Sequence, residues 1–230
     1  MTTKQQIKDL VRPLLERNSD LTIIGRDTLW LRPVGSVGRL VLIDRTSRAE
    51  CCRVSWYLSE FFMPSAYSWD RLGRCNDLIS RSAGFEGGQG WYWSDPTIYT
   101  DIVTRVEADA LATLRPLRTA RACLEFARTR RATIGYLDAH WHLFAHIALG
   151  ELDAARAMWA KSRGFYRPGR IMDEPIHQLE YDRFCLIDVP LMADDRAGLA
   201  VLLHRWEAEN IVGSPLEPHW VKELLPLEEE

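Results

Sequence analysis

Apolar residues recur at helical spacing at the start of the chain, then switch to alternation. Ile7, Leu10, Val11, Leu14 and Leu15 share one face of a helix predicted over residues 3–17. Pro13 falls inside it, where the missing N–H and the ring clash favour a kink or an end. From there the period is two. Leu29 and Leu31 alternate with Trp30 and Arg32, Arg39 to Ile43 is mostly apolar, and Cys52, Val54, Trp56 and Leu58 alternate with Arg53, Ser55 and Ser59. Turn-like stretches at 35–38 and 45–48 separate these runs. Three strands with short connections predict an antiparallel meander with one packed and one solvated face.

Residues 63–90 are irregular and rich in glycine, which marks a turning chain. The Gly84–Gly90 stretch lacks the Lys-Ser/Thr and the strand-to-helix setting of a phosphate loop. Trp91–Tyr92–Trp93 predicts a short strand whose two tryptophans share a face. After Asp95, an N-cap candidate followed by Pro96, the spacing is helical: Ile98, Ile102, Val103, Val106, Ala110 and Leu114 form one stripe. Further helices are predicted over 116–130, 133–149, 151–163, 174–188, 194–210 and 216–225. The pattern is α+β: an N-terminal antiparallel sheet with flanking helices, then an α-helical C-terminal half. Residues 1–114 read as the sheet-bearing part and 115–230 as the helical part; with no flexible linker between them, they are expected to share one core.

Composition narrows the function classes. Of 230 residues 47% are hydrophobic, enough for a sizeable core and against disorder. The formal charge of −3 gives neither half the basic excess of a dedicated nucleic-acid binder. Five cysteines without metal-type spacing, no signal-peptide pattern and no bilayer-length apolar run predict a reduced, cytoplasmic protein with no membrane association. No dinucleotide fingerprint or nucleophile elbow occurs, so no cofactor is expected.

Two groups carry candidate chemistry. Asp138, His142 and His146 stand at i, i+4 and i+8 on one predicted helix, flanking its core stripe, a half-exposed row that could ligate a divalent metal. The zincin pattern needs Glu directly after the first His, and Leu143 stands there, so no metal is expected and a metal-assisted hydrolase is the alternative. Arg115, Arg118, Arg121, Arg128, Arg130 and Arg131 share their segment with a single acid, Glu125. Such a segment grips carboxylates or phosphates, or is neutralised internally by the acidic C-terminus, Glu223 and Glu228–Glu230. Arg128, Arg130 and Arg131, at the end of their predicted helix, are the residues placed to bind an acidic protein partner. An accessory ligand- or nucleic-acid-binding role for the same segment is the third reading.

The stretch Ala148–Leu149–Gly150–Glu151–Leu152–Asp153–Ala154–Ala155 is similar to the helix–Gly–helix joint of tetratricopeptide-type repeats, present once and so a single hairpin. The leading helix, the Tyr57–Leu58–Ser59–Glu60–Phe61–Phe62–Met63–Pro64 strand end, Trp91–Tyr92–Trp93, the Leu114–Arg115–Pro116–Leu117–Arg118–Thr119 stretch, Trp220 and the Glu ending together resemble a group of bacterial conserved hypothetical proteins. Proteins of that sort look like accessory or immunity genes. The resemblance implies a non-enzymatic protein-interaction module, of immunity or antidote type, and supplies no active-site residues.

Overall fold

The computed structural model describes residues 2–46, 48–64, 75–82, 90–129 and 139–229. The fold is α+β, with two compact units. One comprises Met1–Ser59, Gly73–Arg118 and Pro218–Val221; the other comprises Glu60–Leu72, Thr119–Glu217 and Lys222–Glu230.

In the first unit α1 (Lys4–Arg17) opens with a capping box: the Thr3 hydroxyl accepts from the Gln6 amide, and the Gln6 side chain accepts from the Thr3 amide at 2.8 Å. The helix runs past Pro13 rather than ending there, because Leu10, Val11 and Leu14 are buried on both sides of the proline. That burial outweighs one missing hydrogen bond. The strands are β1 (Leu21–Ile24), β2 (Thr28–Leu31), β3 (Val37–Arg45), β4 (Cys51–Glu60), β5 (Cys75–Leu78) and β6 (Trp91–Tyr92). Their order is β1-β2-β3-β4-β5, with β6 also paired to β4. Register matches aliphatic side chains across the sheet, Ile23 with Leu29 and Leu29 with Val41. On one edge β4 serves two partners: Cys51 and Cys52 face β6, and Ser55 to Leu58 face β5.

Neither β1 nor β5 is predicted from the periodicity. β1 reads Leu-Thr-Ile-Ile, without clean alternation, and β5 lies in the glycine-rich stretch read as irregular. The expected solvated face is corrected as well. Arg53 is exposed, but Ser55 beside it on the same face is only 4% exposed, and Leu29, Trp30 and Leu31 are all buried. Serine at an alternate position does not mark water when neighbouring elements cover both faces.

The stripe after Asp95 is buried throughout: Ile98, Ile102 and Val103 on α2 (Ile98–Arg105), Val106 and Ala110 on a π-helical stretch (Val106–Leu111), and Leu114 on α3 (Ala112–Leu114). Asp95 starts the turn that leads into α2 by accepting from the Thr97 amide at 2.8 Å. The Trp91 indole donates to Asp101 at 2.9 Å, and Ser82 and Arg81 bring further donors to the same carboxylate. Trp93 leaves the strand and donates to the Thr2 hydroxyl instead, so the two tryptophans have separate partners.

The second unit holds α4 (Ala120–Thr129), α5 (Ala139–Ala148), α6 (Leu152–Ser162), α7 (Pro175–Cys185), α8 (Asp188–Met192) and α9 (Arg196–Ile211). Gly150, at φ +71°, turns α5 into α6, and the two helices pack together. Phe144 meets Phe184 and Trp206 edge-on at 5.1 and 5.7 Å, and Tyr166 stacks between Trp159 and Phe184. The predicted helix over 174–188 is split into α7 and α8. A helix over 216–225 does not form. The stretch makes one 3-10 turn (Glu217–His219) instead. The backbone then bridges Val34 within the first unit, with Val221 N–H donating to the Val34 carbonyl at 2.8 Å. Among the described residues no helix is long and apolar enough to cross a membrane.

Candidate functional site

The arginine-rich segment begins before α4 and continues along it. Helix α4 buries Ala120, Cys123, Leu124 and Ala127 at helical spacing, which turns Arg121, Glu125 and Arg128 to the exposed side. The Thr119 hydroxyl accepts from the Ala122 amide at 3.2 Å at its start. Arg128 lies in the last turn, where a cation offsets the partial negative charge of the helix end. Its guanidinium has no carboxylate partner among the described residues, Glu125 one turn earlier included. Arg130 and Arg131 lie outside the described residues.

The remaining arginines of the segment divide. Arg115 forms a two-pronged bond to Asp20, at 2.9 and 3.0 Å, and donates to the Asn18 side chain at 2.6 Å. Arg121 donates to Glu151 at 2.8 Å. Internal neutralisation therefore runs to Asp20 and Glu151, whereas Glu228 of the acidic C-terminus is engaged by His204. Arg118 is exposed.

The α5 row is half-exposed at His142, as expected, but not at His146. Asp138 lies outside the described residues, and the His142 ring is half-buried with its plane edge-on to Trp141 at 5.0 Å. His146 is only 8% exposed, and its Nδ1 lies 2.6 Å from Glu151 Oε2. Leu143 to Leu149 are all buried, because α5 is packed by α4, α6 and α9, so a residue flanking the core stripe is still interior. Arg121, Glu151 and His146 form one hydrogen-bonded cluster around the Gly150 turn. Burial alone would raise the Glu151 carboxyl, but the bonds from Arg121 and His146 hold it below its ordinary value. Among the described residues no group of three or more His, Cys, Asp or Glu side chains is placed to hold a metal ion.

A concave surface unremarked in the sequence lies along α9. A groove of about 1100 Å³ has Ala197, Ala200, Val201 and Leu227 as its apolar lining. Arg196, Arg205 and Lys222 supply cations around it, Glu228 and Glu229 supply carboxylates, and His204 faces it too. The C-terminal segment borders it. Leu225 and Leu227 are buried, and a 3-10 turn (Pro226–Glu228) sets Glu228 against α9. Each nitrogen of His204 faces a carboxylate: Nδ1 lies 3.1 Å from the fully buried Glu207, and Nε2 lies 2.7 Å from Glu228. Burial raises the Glu228 carboxyl, and the Leu225 amide and His204 more than reverse that, leaving it below its ordinary value. The Arg196 guanidinium donates to the carbonyls of Leu227, Gly150 and Glu229. The helical spacing of Arg196, Ala200 and His204 was visible in the sequence; the return of the tail onto that row was not.

Comparison with protein-family models, with curated proteins and with solved structures returned no match.

Proposed function

We propose that this chain is a non-enzymatic protein-interaction module, of immunity or antidote type, whose partner is acidic. The observation that carries the reading is Arg128: an exposed guanidinium at a helix end with no carboxylate partner among the described residues, followed in sequence, after Thr129, by Arg130 and Arg131. Arginine grips carboxylates in bidentate fashion, and clustered cations speed encounter with an acidic surface at low salt.

The test uses poly-L-glutamate as an acidic probe and follows association with the full chain between low and physiological salt. Wild type is expected to bind with a rate that falls steeply as salt rises. The variant carrying Arg128→Glu, Arg130→Glu and Arg131→Glu, with an unchanged circular dichroism spectrum, is expected to associate more slowly and with a flatter salt dependence. Unchanged binding by that folded variant would place the interface elsewhere and overturn the assignment.

A further inference from the structure

The α9 groove combines features that the arginine segment lacks: concavity, an apolar lining and cations placed around it. Its volume of about 1100 Å³ exceeds the ~300–1,000 Å³ usual for small-ligand pockets and suits several residues of chain. Ala197, Val201 and Arg205 recur at i, i+4 and i+8, so they form one exposed row along the helix, with Val201 69% exposed.

The protein's own tail shows what this helix recognises. Leu225 and Leu227 are packed away from water, Glu228 meets His204 at 2.7 Å, and Arg196 donates to the carbonyls of Leu227 and Glu229. A stretch reading Leu-Pro-Leu-Glu-Glu is thus held by apolar packing, a carboxylate contact and an arginine on its backbone. Beyond the tail two further cations border the groove, of which Lys222 already helps to hold the Glu228 carboxyl low. Arg205 approaches Glu209 only at 3.8 Å, and Lys222 has no carboxylate within ion-pair distance among the described residues.

We propose that the α9 groove is a docking site for an acidic, leucine-bearing segment of a partner protein. The segment's leucine rests on Ala197 and Val201, and its carboxylates pair with Arg205 and Lys222. Apolar contact supplies affinity at the centre, and the charges around it select acidic over basic segments. The inference does not depend on Arg128, which lies on a different helix and can fail separately.

The probe is a fluorescein-labelled peptide, Glu-Leu-Leu-Pro-Leu-Glu-Glu-Glu, titrated into the full chain with anisotropy as the readout. Saturable binding is expected. Val201→Asp, and separately Arg205→Glu with Lys222→Glu, should each weaken it about tenfold or more. All three residues are exposed, so these variants should keep the wild-type circular dichroism spectrum. A peptide with glutamine at each glutamate position should bind at least about tenfold more weakly, whereas Arg128→Glu should leave binding of the original peptide within a factor of two or so. Absence of saturable binding, or equal binding by wild type and both folded groove variants, overturns the proposal. If binding is lost only in Arg128→Glu, the peptide is held by the α4 arginines and the groove assignment falls while the α4 assignment stands.

Discussion

Arg115 stands in the sequence as one arginine among six in a basic segment, and in the structure it is bound to Asp20 and Asn18. What separates it from Arg128 is the presence of a carboxylate 95 residues away in sequence, which no local pattern encodes. The Arg115 hydrogen bond is the main reason that the Asp20 carboxyl lies below its ordinary value of 3.8; burial opposes it, and the Arg115 charge adds to it. A folded-state value depressed in this way gives stability that is complete above the unfolded value and is lost as pH falls through the folded one. Asp20→Asn should therefore lower the urea midpoint at pH 7 but make little difference near pH 2, where wild type has lost the same interaction. Both side chains are partly exposed, at 35% and 44%, so the effect at pH 7 should stay under about 1 kcal/mol. Parallel wild-type and variant curves from pH 7 to pH 2 would sink this account.

Helix spacing located α4, α5, α6, α7 and α9 to within a few residues, except that α4 starts four residues after the predicted position and 130–138 lie outside the described residues. The apolar face of each of these helices is written into its own segment, and burying that face is what holds the helix in place. The joints between helices depend on less. The α5–α6 turn rests on Gly150 at φ +71°, where a methyl group would also come 2.7 Å from the Arg196 guanidinium. Gly150→Ala should cost about 1–2 kcal/mol from backbone conformation alone, with further loss as Arg196 is pushed from its carbonyls. The measurement is the urea midpoint at constant slope. A neutral or stabilising effect would mean that the turn tolerates a side chain and that the Arg196 contacts are dispensable. The predicted helix over 216–225 does not form at this same scale, because apolar spacing carries no trace of the Val34 backbone that pairs with Trp220 and Val221 instead.

Across the whole chain, thiol chemistry reports how the interior is closed. Cys51 and Cys52 are adjacent on β4 and both are buried, although they point to opposite faces. Burial, with a smaller push from Cys51, raises the Cys52 thiol to about 12, so it stays protonated and unreactive in the folded state. Iodoacetamide at pH 8 should therefore spare Cys51, Cys52 and Cys123 while reaching the partly exposed Cys185 slowly, since burial also raises that thiol. Peptide mapping by mass spectrometry distinguishes the sites, and urea should open all of them. Rapid modification of Cys52 in the native protein would contradict a sheet covered on both faces. The α+β architecture was legible in the sequence because side-chain periodicity is a local consequence of backbone geometry: alternation around Val54 and Trp56, 3.6-residue spacing from Ile98 onward. Which polar groups meet was not legible, because those meetings join residues far apart in the chain. Glu151 reaching Arg121, Glu228 reaching His204, and the tail returning to α9 to border a groove of mixed charge were decided by tertiary structure alone. The physical reason is that a charge at a given position is equally compatible with water, an internal partner or an external one, and only packing against distant elements selects among them.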